Sequence, residues 1–254
     1  MKGSRLQREG TENAASGEYS VEDSPFGRIV VARDAPQGFA VLYTTIDFHG
    51  RLSDGIAHEI TSFIHGRFGI ASTLTTCTQV HGKTATRAAH AAQWRECDSC
   101  DALWTTERHV ALGIKVADCL PIAMIDPIHD VMANIHSGWR GTAQRITDST
   151  LDALFESTPF DASEASAFLG PTIRACCFEV GEEVASQFDS AYVDRGRAKP
   201  HVDLVQLTVD VLRKRGFKDD RIHDSKLCTR CQGSIFHSYR REKSGGRNLA
   251  LVAH

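Results

Sequence analysis

Apolar residues recur at two spacings along this chain. Val110, Leu112, Ile114 and Val116 alternate with Ala111, Gly113 and Lys115, the two-residue period of a strand with one face inward. Runs from Arg28 to Arg33 and from Phe39 to Thr45 predict two strands joined by the turn-rich segment from Asp34 to Gly38. Further strands are predicted from Leu74 to Val80, Leu120 to Ile125, Val131 to Ile135 and Ala165 to Leu169, with closing strands from Ile235 to Tyr239 and Asn248 to Val252. Helical spacing places Ile56, Ile60, Phe63 and Ile64 on one face of a helix between Gly55 and Gly69. It does the same for Ala143, Ile146, Leu151, Leu154 and Phe155 from Thr142 to Phe155, and for Leu204, Leu207, Val211 and Leu212 from His201 to Arg215. That last helix ends in Arg213, Lys214 and Arg215 before Gly216, and another with an acidic first turn begins in the stretch from Phe178 to Phe188. Lys83 to Asp101 is polar and alanine-rich without a period, so it reads as loop or irregular helix. Strands and helices interleave irregularly, with no internal repeat, which predicts a mixed α/β layered structure rather than a simple βαβ series.

Length changes this picture little: 254 residues fit one sizeable domain. The polar segment 1–24 reads as a disordered leader with no apolar export-signal core, leaving 25–254 as the single domain. With 41% hydrophobic residues, 24% charged and a net charge of −3, the chain has ordinary globular composition. No basic block points to nucleic acid, and no apolar run reaches membrane-spanning length. Eight cysteines in a chain this long are too sparse for a secreted disulfide framework, so a reducing cytoplasm is expected.

Three apolar runs end at metal-binding residue types. His81 follows Gln79-Val80, Cys119 follows Ala117-Asp118, and His136 follows Asn134-Ile135. Two neutral imidazoles and one thiolate suit Zn²⁺, and three protein ligands leave a fourth place for water or substrate. Asp118 and Lys115 are candidates to support these ligands. After His136 comes Ser137-Gly138-Trp139-Arg140-Gly141, a turn into a helix start. Its backbone N–H groups, with Gly138 and Gly141 permitting close approach and Arg140 adding a planar cation, suit an anion such as phosphate. The plainer reading of all three donors is separate burial in the core, and spacing alone does not choose between the two.

The motifs do choose. Gln79-Val80-His81-Gly82, Ala117-Asp118-Cys119-Leu120-Pro121, His136 to Gly141, Gly170-Pro171 with Phe178-Glu179-Val180-Gly181, and the run from Phe236 to Lys243 occur in this order. Together they resemble the bacterial YfiH-like family, labelled polyphenol oxidase or laccase-domain proteins and regarded as purine nucleoside phosphorylases with adenosine deaminase activity. The resemblance runs from about Thr75 to Val252. It implies a single-domain α/β/β/α sandwich and makes His81, Cys119 and His136 the zinc ligands and catalytic centre. It also implies purine nucleoside and phosphate as substrates, with adenosine, inosine, guanosine and methylthioadenosine expected, and brings Arg240 forward as a second candidate for the anion. Thr44 to Ser53 departs from the family pattern, with no Asn-Leu-Gly segment after it, which leaves the preferred substrate open.

Two rival readings remain. A copper polyphenol oxidase needs clustered histidines, yet none of the 12 histidines forms a His-x-His pair. A non-catalytic factor in cell-wall quality control would use the metal structurally. Among the other cysteines, Cys97-x-x-Cys100 and Cys228-x-x-Cys231 lie about 130 residues apart, far from the spacing of a compact zinc knuckle. Cys176-Cys177 and Cys77 read as packing residues, and His201 as a surface or loop histidine.

Overall fold

The computed structural model describes residues 18–49, 51–243 and 245–254. The strands are β1 (Tyr19–Ser24), β2 (Gly27–Ala32), β3 (Ala40–Thr44), β4 (Thr73–Cys77), β5 (Ala85–Arg87), β6 (Arg95–Cys97), β7 (Ala102–Thr105), β8 (Val110–Val116), β9 (Leu120–Asp126), β10 (Val131–Ser137), β11 (Ser166–Leu169), β12 (Val193–Asp194), β13 (His201–Val202), β14 (Ile222–Asp224) and β15 (Asn248–Ala253). The α-helices are α1 (Asp54–Phe68), α2 (Trp139–Ala143), α3 (Ile146–Ser157), α4 (Glu182–Ala185), α5 (Leu204–Lys214) and α6 (Tyr239–Glu242). None is long and apolar enough to cross a membrane.

Two sheets carry the fold. One runs β1-β2-β3-β15-β8-β4-β6 and the other β14-β11-β9-β10-β7-β5, with β12 and β13 forming a small separate pair. Strand alternation sorts each sheet's side chains into distinct clusters. Val30, Val41, Leu112 and Ile114 from the first sheet meet Leu103, Ile125, Met132 and Phe168 from the second between the sheets. On the outer face of the first sheet, Ile29, Leu42 and Leu251 pack on Ala57, Ile60 and Ile64 of α1. On the outer face of the second, Ile122, Met124 and Ile135 pack on Leu151 and Leu154 of α3 and Val205 and Leu212 of α5. The result is an α/β/β/α sandwich, as the sequence motifs imply.

Local signals set the helix ends. Ser53 caps α1 by accepting from the Ile56 N–H, and Gly69, at φ 73°, ends it. Asp203 caps α5 in the same way through Gln206, and Arg213 and Lys214 occupy its last turn.

Several expectations need correction. Residues 19–24, assigned to a leader, form β1 and pair along their whole length with β2, because Tyr19 is buried against the inter-sheet core; residues 1–17 lie outside the described residues. The stretch from Lys83 to Asp101 contains β5 and β6, short strands recruited by parallel pairing with β7 and β4 rather than by their own composition. Thr142 to Phe155 is broken into α2 and α3 at Arg145, whose φ is 65°. The predicted strand from Ile235 to Tyr239 is instead a turn leading into α6, capped by Ser238. The helix begun at Phe178 is reduced to the four residues of α4. His201 is buried and its Nδ1 lies 2.6 Å from the Ala175 carbonyl oxygen, so it is not a surface residue.

Candidate metal centre

Strand register explains how residues far apart in sequence meet. β10 is antiparallel to both β7 and β9, with Ile135 opposite Ala102 and Ser137 opposite Leu120. The carboxyl end of β10 therefore lies beside the starts of β7 and β9, bringing His136 next to Asp101 on one side and Cys119 on the other. His136 follows Met132 and Asn134 on the face turned toward the first sheet. The loop after β4 adds His81. Donor atoms of His81, Cys119 and His136 all lie within 4.8 Å of one another, and Cys119 Sγ is 4.0 Å from His81 Nε2. The two imidazole rings stand edge to face, 4.8 Å between centroids.

Asp101, which the sequence patterning passes over, organises this group. Its Oδ1 accepts from His136 Nδ1 at 2.8 Å and from the His81 backbone N–H at 2.9 Å. Its Oδ2 accepts from the Gly82 N–H at 2.7 Å, and its backbone carbonyl from the His136 N–H at 2.7 Å. With the Nδ1 proton committed to a carboxylate, Nε2 of His136 is left as the ligand atom. The available signal was a carboxylate directly before the buried run Ala102-Leu103-Trp104, hidden by the polar stretch preceding it.

Asp118 fixes the thiol. At φ 86° it turns the chain sharply just before Cys119. Its carbonyl accepts from Thr172 Oγ1 at 2.7 Å and Ile173 N at 3.0 Å; its carboxylate accepts from Thr229 Oγ1 at 2.6 Å and Arg240 N at 2.7 Å. Lys115, the other supporting candidate, pairs with Glu96 at 2.7 Å instead. Gly138 forms the wall of the group: a Cβ there would lie 2.9 Å from Cys119 Sγ and 3.2 Å from His81 Cδ2. A Cβ on Gly141 would sit 3.0 Å from the Gly82 carbonyl oxygen, so the turn and the His81 loop touch through glycine.

The electrostatics favour the charged forms of Cys119 and His136. Burial opposes ionisation of the Cys119 thiol, but hydrogen bonds from His136 and His81 outweigh it and bring the thiol down to about 6. Burial likewise opposes charge on His136, yet hydrogen bonds to Asp101 and Cys119 raise it to about 9. Asp101 is held below the usual carboxylate range despite burial, chiefly by His136 and the Gly82 N–H. Tetrahedral bonds of about 2.0–2.3 Å to nitrogen and sulfur set donors roughly 3.3–3.8 Å apart, so a small contraction of this group accommodates a soft divalent ion.

The anion candidates are placed differently. Arg140 is exposed in α2, its guanidinium 4.2 Å over the Trp139 ring. Arg240 is half-buried, with its Nη1 donating to the Glu179 carbonyl at 2.6 Å and its guanidinium over Phe178. A cleft lined by Thr142, Arg145, Gln187, Phe188, Tyr192 and Lys214 includes none of the three donor residues.

This combination of sandwich and strand-end donors defines a class of layered α/β proteins able to hold one metal ion. The chain belongs to the family described as multi-copper polyphenol oxidoreductase laccase, whose model matches residues 56–254. It is 31% identical over 160 residues to a purine nucleoside phosphorylase of Clostridium acetobutylicum, covering 60% of this chain and 66% of that one. It is 35% identical over 153 residues to the adenosine deaminase RL5 of an unknown prokaryotic organism, covering 57% and 58%. The matches thus span less than two thirds of the length of these relatives. The crystal structure of Bacillus licheniformis hypothetical protein YfiH superposes with a TM-score of 0.77 at 21% identity, over 94% of this chain and 99% of that one, which establishes the shared fold. The family description implies a metal, and the His–Cys–His group is able to hold one.

Proposed function

We propose that this chain is a zinc-dependent purine nucleoside phosphorylase with adenosine deaminase activity, with His81, Cys119 and His136 as metal ligands and catalytic centre. The observation that carries this reading is the convergence of three donor atoms within 4.8 Å around a buried carboxylate. Relatives named for these two activities support it. When bound, zinc in a three-ligand site supplies Lewis acidity with an open coordination place. Around it, Asp101 orients His136, Asp118 orients Cys119, and Gly138 keeps the space beside both free of side chain. Arg140, with Gly138 and Gly141, would hold phosphate, and Arg240 would approach the same anion from the Asp118 side. The substrates expected are adenosine, inosine, guanosine and methylthioadenosine, in a reducing compartment such as the cytoplasm where the thiols persist. The catalytic unit is proposed as one domain beginning at β1.

The family description names copper, but three ligands and the absence of a His-x-His pair favour a single zinc. The test is phosphate-dependent release of adenine from adenosine, and ammonia release without phosphate, by the metal-loaded protein and by His136→Ala and Cys119→Ala. Loss of a supporting hydrogen bond around a metal typically costs about 10–100-fold. Loss of a ligand should exceed that, with circular dichroism unchanged. Undiminished turnover in either variant rejects the assignment, and stoichiometric copper in the native protein would replace zinc.

A further inference from the structure

The two segments that hold Asp118 also carry four cysteines. Thr172 and Ile173 bond its carbonyl, and Cys176 and Cys177 follow within the same loop. Thr229 bonds its carboxylate and lies between Cys228 and Cys231. The segments are laced together by backbone: the Thr172 N–H donates to the Leu227 carbonyl at 3.2 Å, and the Thr229 N–H to the Thr172 carbonyl at 3.0 Å.

The C-x-x-C pair at 228–231 therefore finds its partners at 176–177, and not at Cys97 and Cys100. Sγ of Cys176 lies 3.7 Å from that of Cys228 and 3.8 Å from that of Cys231; Cys177 and Cys231 are 3.3 Å apart. All four sulfurs lie within 4.8 Å of one another. A tetrahedral ion with Zn–S bonds of about 2.3 Å sets sulfurs roughly 3.8 Å apart, whereas a disulfide needs about 2.05 Å. Cys177 and Cys228 are buried while Cys176 and Cys231 are exposed, which leaves an entry route for an ion.

We propose that Cys176, Cys177, Cys228 and Cys231 form a second, structural metal site that takes zinc and clamps the two loops fixing Asp118, and through it Cys119. Four thiolates close the coordination sphere, in contrast to the open His–Cys–His group. On loading, the thiol protons pass to solvent. The proposal stands independently of the reading given to that other group.

The test is elemental analysis of protein purified under reducing, zinc-sufficient conditions. Wild type should carry about two zinc ions per chain, Cys176→Ser/Cys231→Ser about one fewer, and Cys119→Ser/His136→Ala also about one fewer. Zinc lost only from the Cys176→Ser/Cys231→Ser protein supports this site and counts against the other. Since replacing cysteines could unfold the loops, a second measurement leaves all four in place. Cobalt(II) added to the Cys119→Ser/His136→Ala protein should give the intense thiolate-to-metal absorption of a tetrahedral four-sulfur site. Unchanged zinc in the Cys176→Ser/Cys231→Ser variant, no such absorption, or a Cys177–Cys231 disulfide in the zinc-loaded protein overturns the proposal.

Discussion

Asp101 is a single side chain on which several backbone and ring donors depend. Asp101→Ala removes the acceptor of the His136 Nδ1 proton and of the His81 and Gly82 amides. Affinity of the His–Cys–His group for zinc should fall by about 10–100-fold, measured by competition with a chromogenic chelator; unchanged affinity would show that the ligands orient themselves. The same residues set a pH dependence. In the metal-free protein the Cys119 thiol is lowered from its ordinary 9.0 to about 6, so its contribution to stability is present above 9.0 and is lost as pH falls through about 6. His136 is raised from 6.5 to about 9, so its contribution is present below 6.5 and is lost as pH rises through about 9. The Tm advantage of chelator-treated wild type over Cys119→Ser should therefore be small below about pH 6 and grow as pH rises from about 6 toward 9. Zinc must displace the His136 proton, so its affinity should rise with pH across the same interval; a flat profile would contradict the protonated imidazole. The three donor residues were legible because each lies in a recognisable motif. Asp101 was not, because its role depends on cross-strand neighbours that a linear reading does not reveal.

At the scale of elements, β10 is the piece that must sit correctly, since it carries His136. Asn134, two residues earlier, is buried, and its Nδ2 donates to the carbonyls of Leu112 in β8 and Ala250 in β15. One side chain of the second sheet thereby ties the first sheet to the strand that presents the histidine. Asn134→Ala should cost about 1–3 kcal/mol, read from urea unfolding; a loss below a few tenths of a kcal/mol would mean those carbonyls are satisfied without it. The long strands were legible, β8 from its two-residue alternation and β9 and β10 from their consecutive apolar residues. The short ones β5, β6 and β7 were not, since cross-strand pairing makes them strands. The same holds for the break between α2 and α3. There Gly141 approaches the Gly82 carbonyl, a tertiary contact, and Thr142 Oγ1 bonds Ser137 Oγ and the Gly138 carbonyl within the turn itself.

Across the whole molecule, the largest buried hydrophobic cluster among the described residues lies between the two sheets. Phe168 in β11 is fully buried in that layer among residues of both sheets. Phe168→Ala should remove about 3–5 kcal/mol of unfolding free energy, measured by denaturant titration, and should lower the unfolding midpoint of metal-free and metal-loaded protein alike. A variant that loses stability only when metal is present would place the core elsewhere. The loops carrying the cysteines and Asp118 lie at the end of this sandwich, and their geometry depends on contacts between segments more than 50 residues apart.

By itself the sequence determined the α/β class, the basic last turn and glycine stop of the helix that ends before Gly216, and which residues are chemically fit to bind a metal. These follow from spacing, capping chemistry and donor type, all local properties of the chain. Only the tertiary structure decided that His81, Cys119 and His136 share one space, that Asp101 stands behind them, and that Cys228 and Cys231 face Cys176 and Cys177 rather than Cys97 and Cys100. The physical reason is register: antiparallel pairing of β7, β9 and β10 brings distant strand ends together, and no periodicity along one strand encodes which other strand lies beside it.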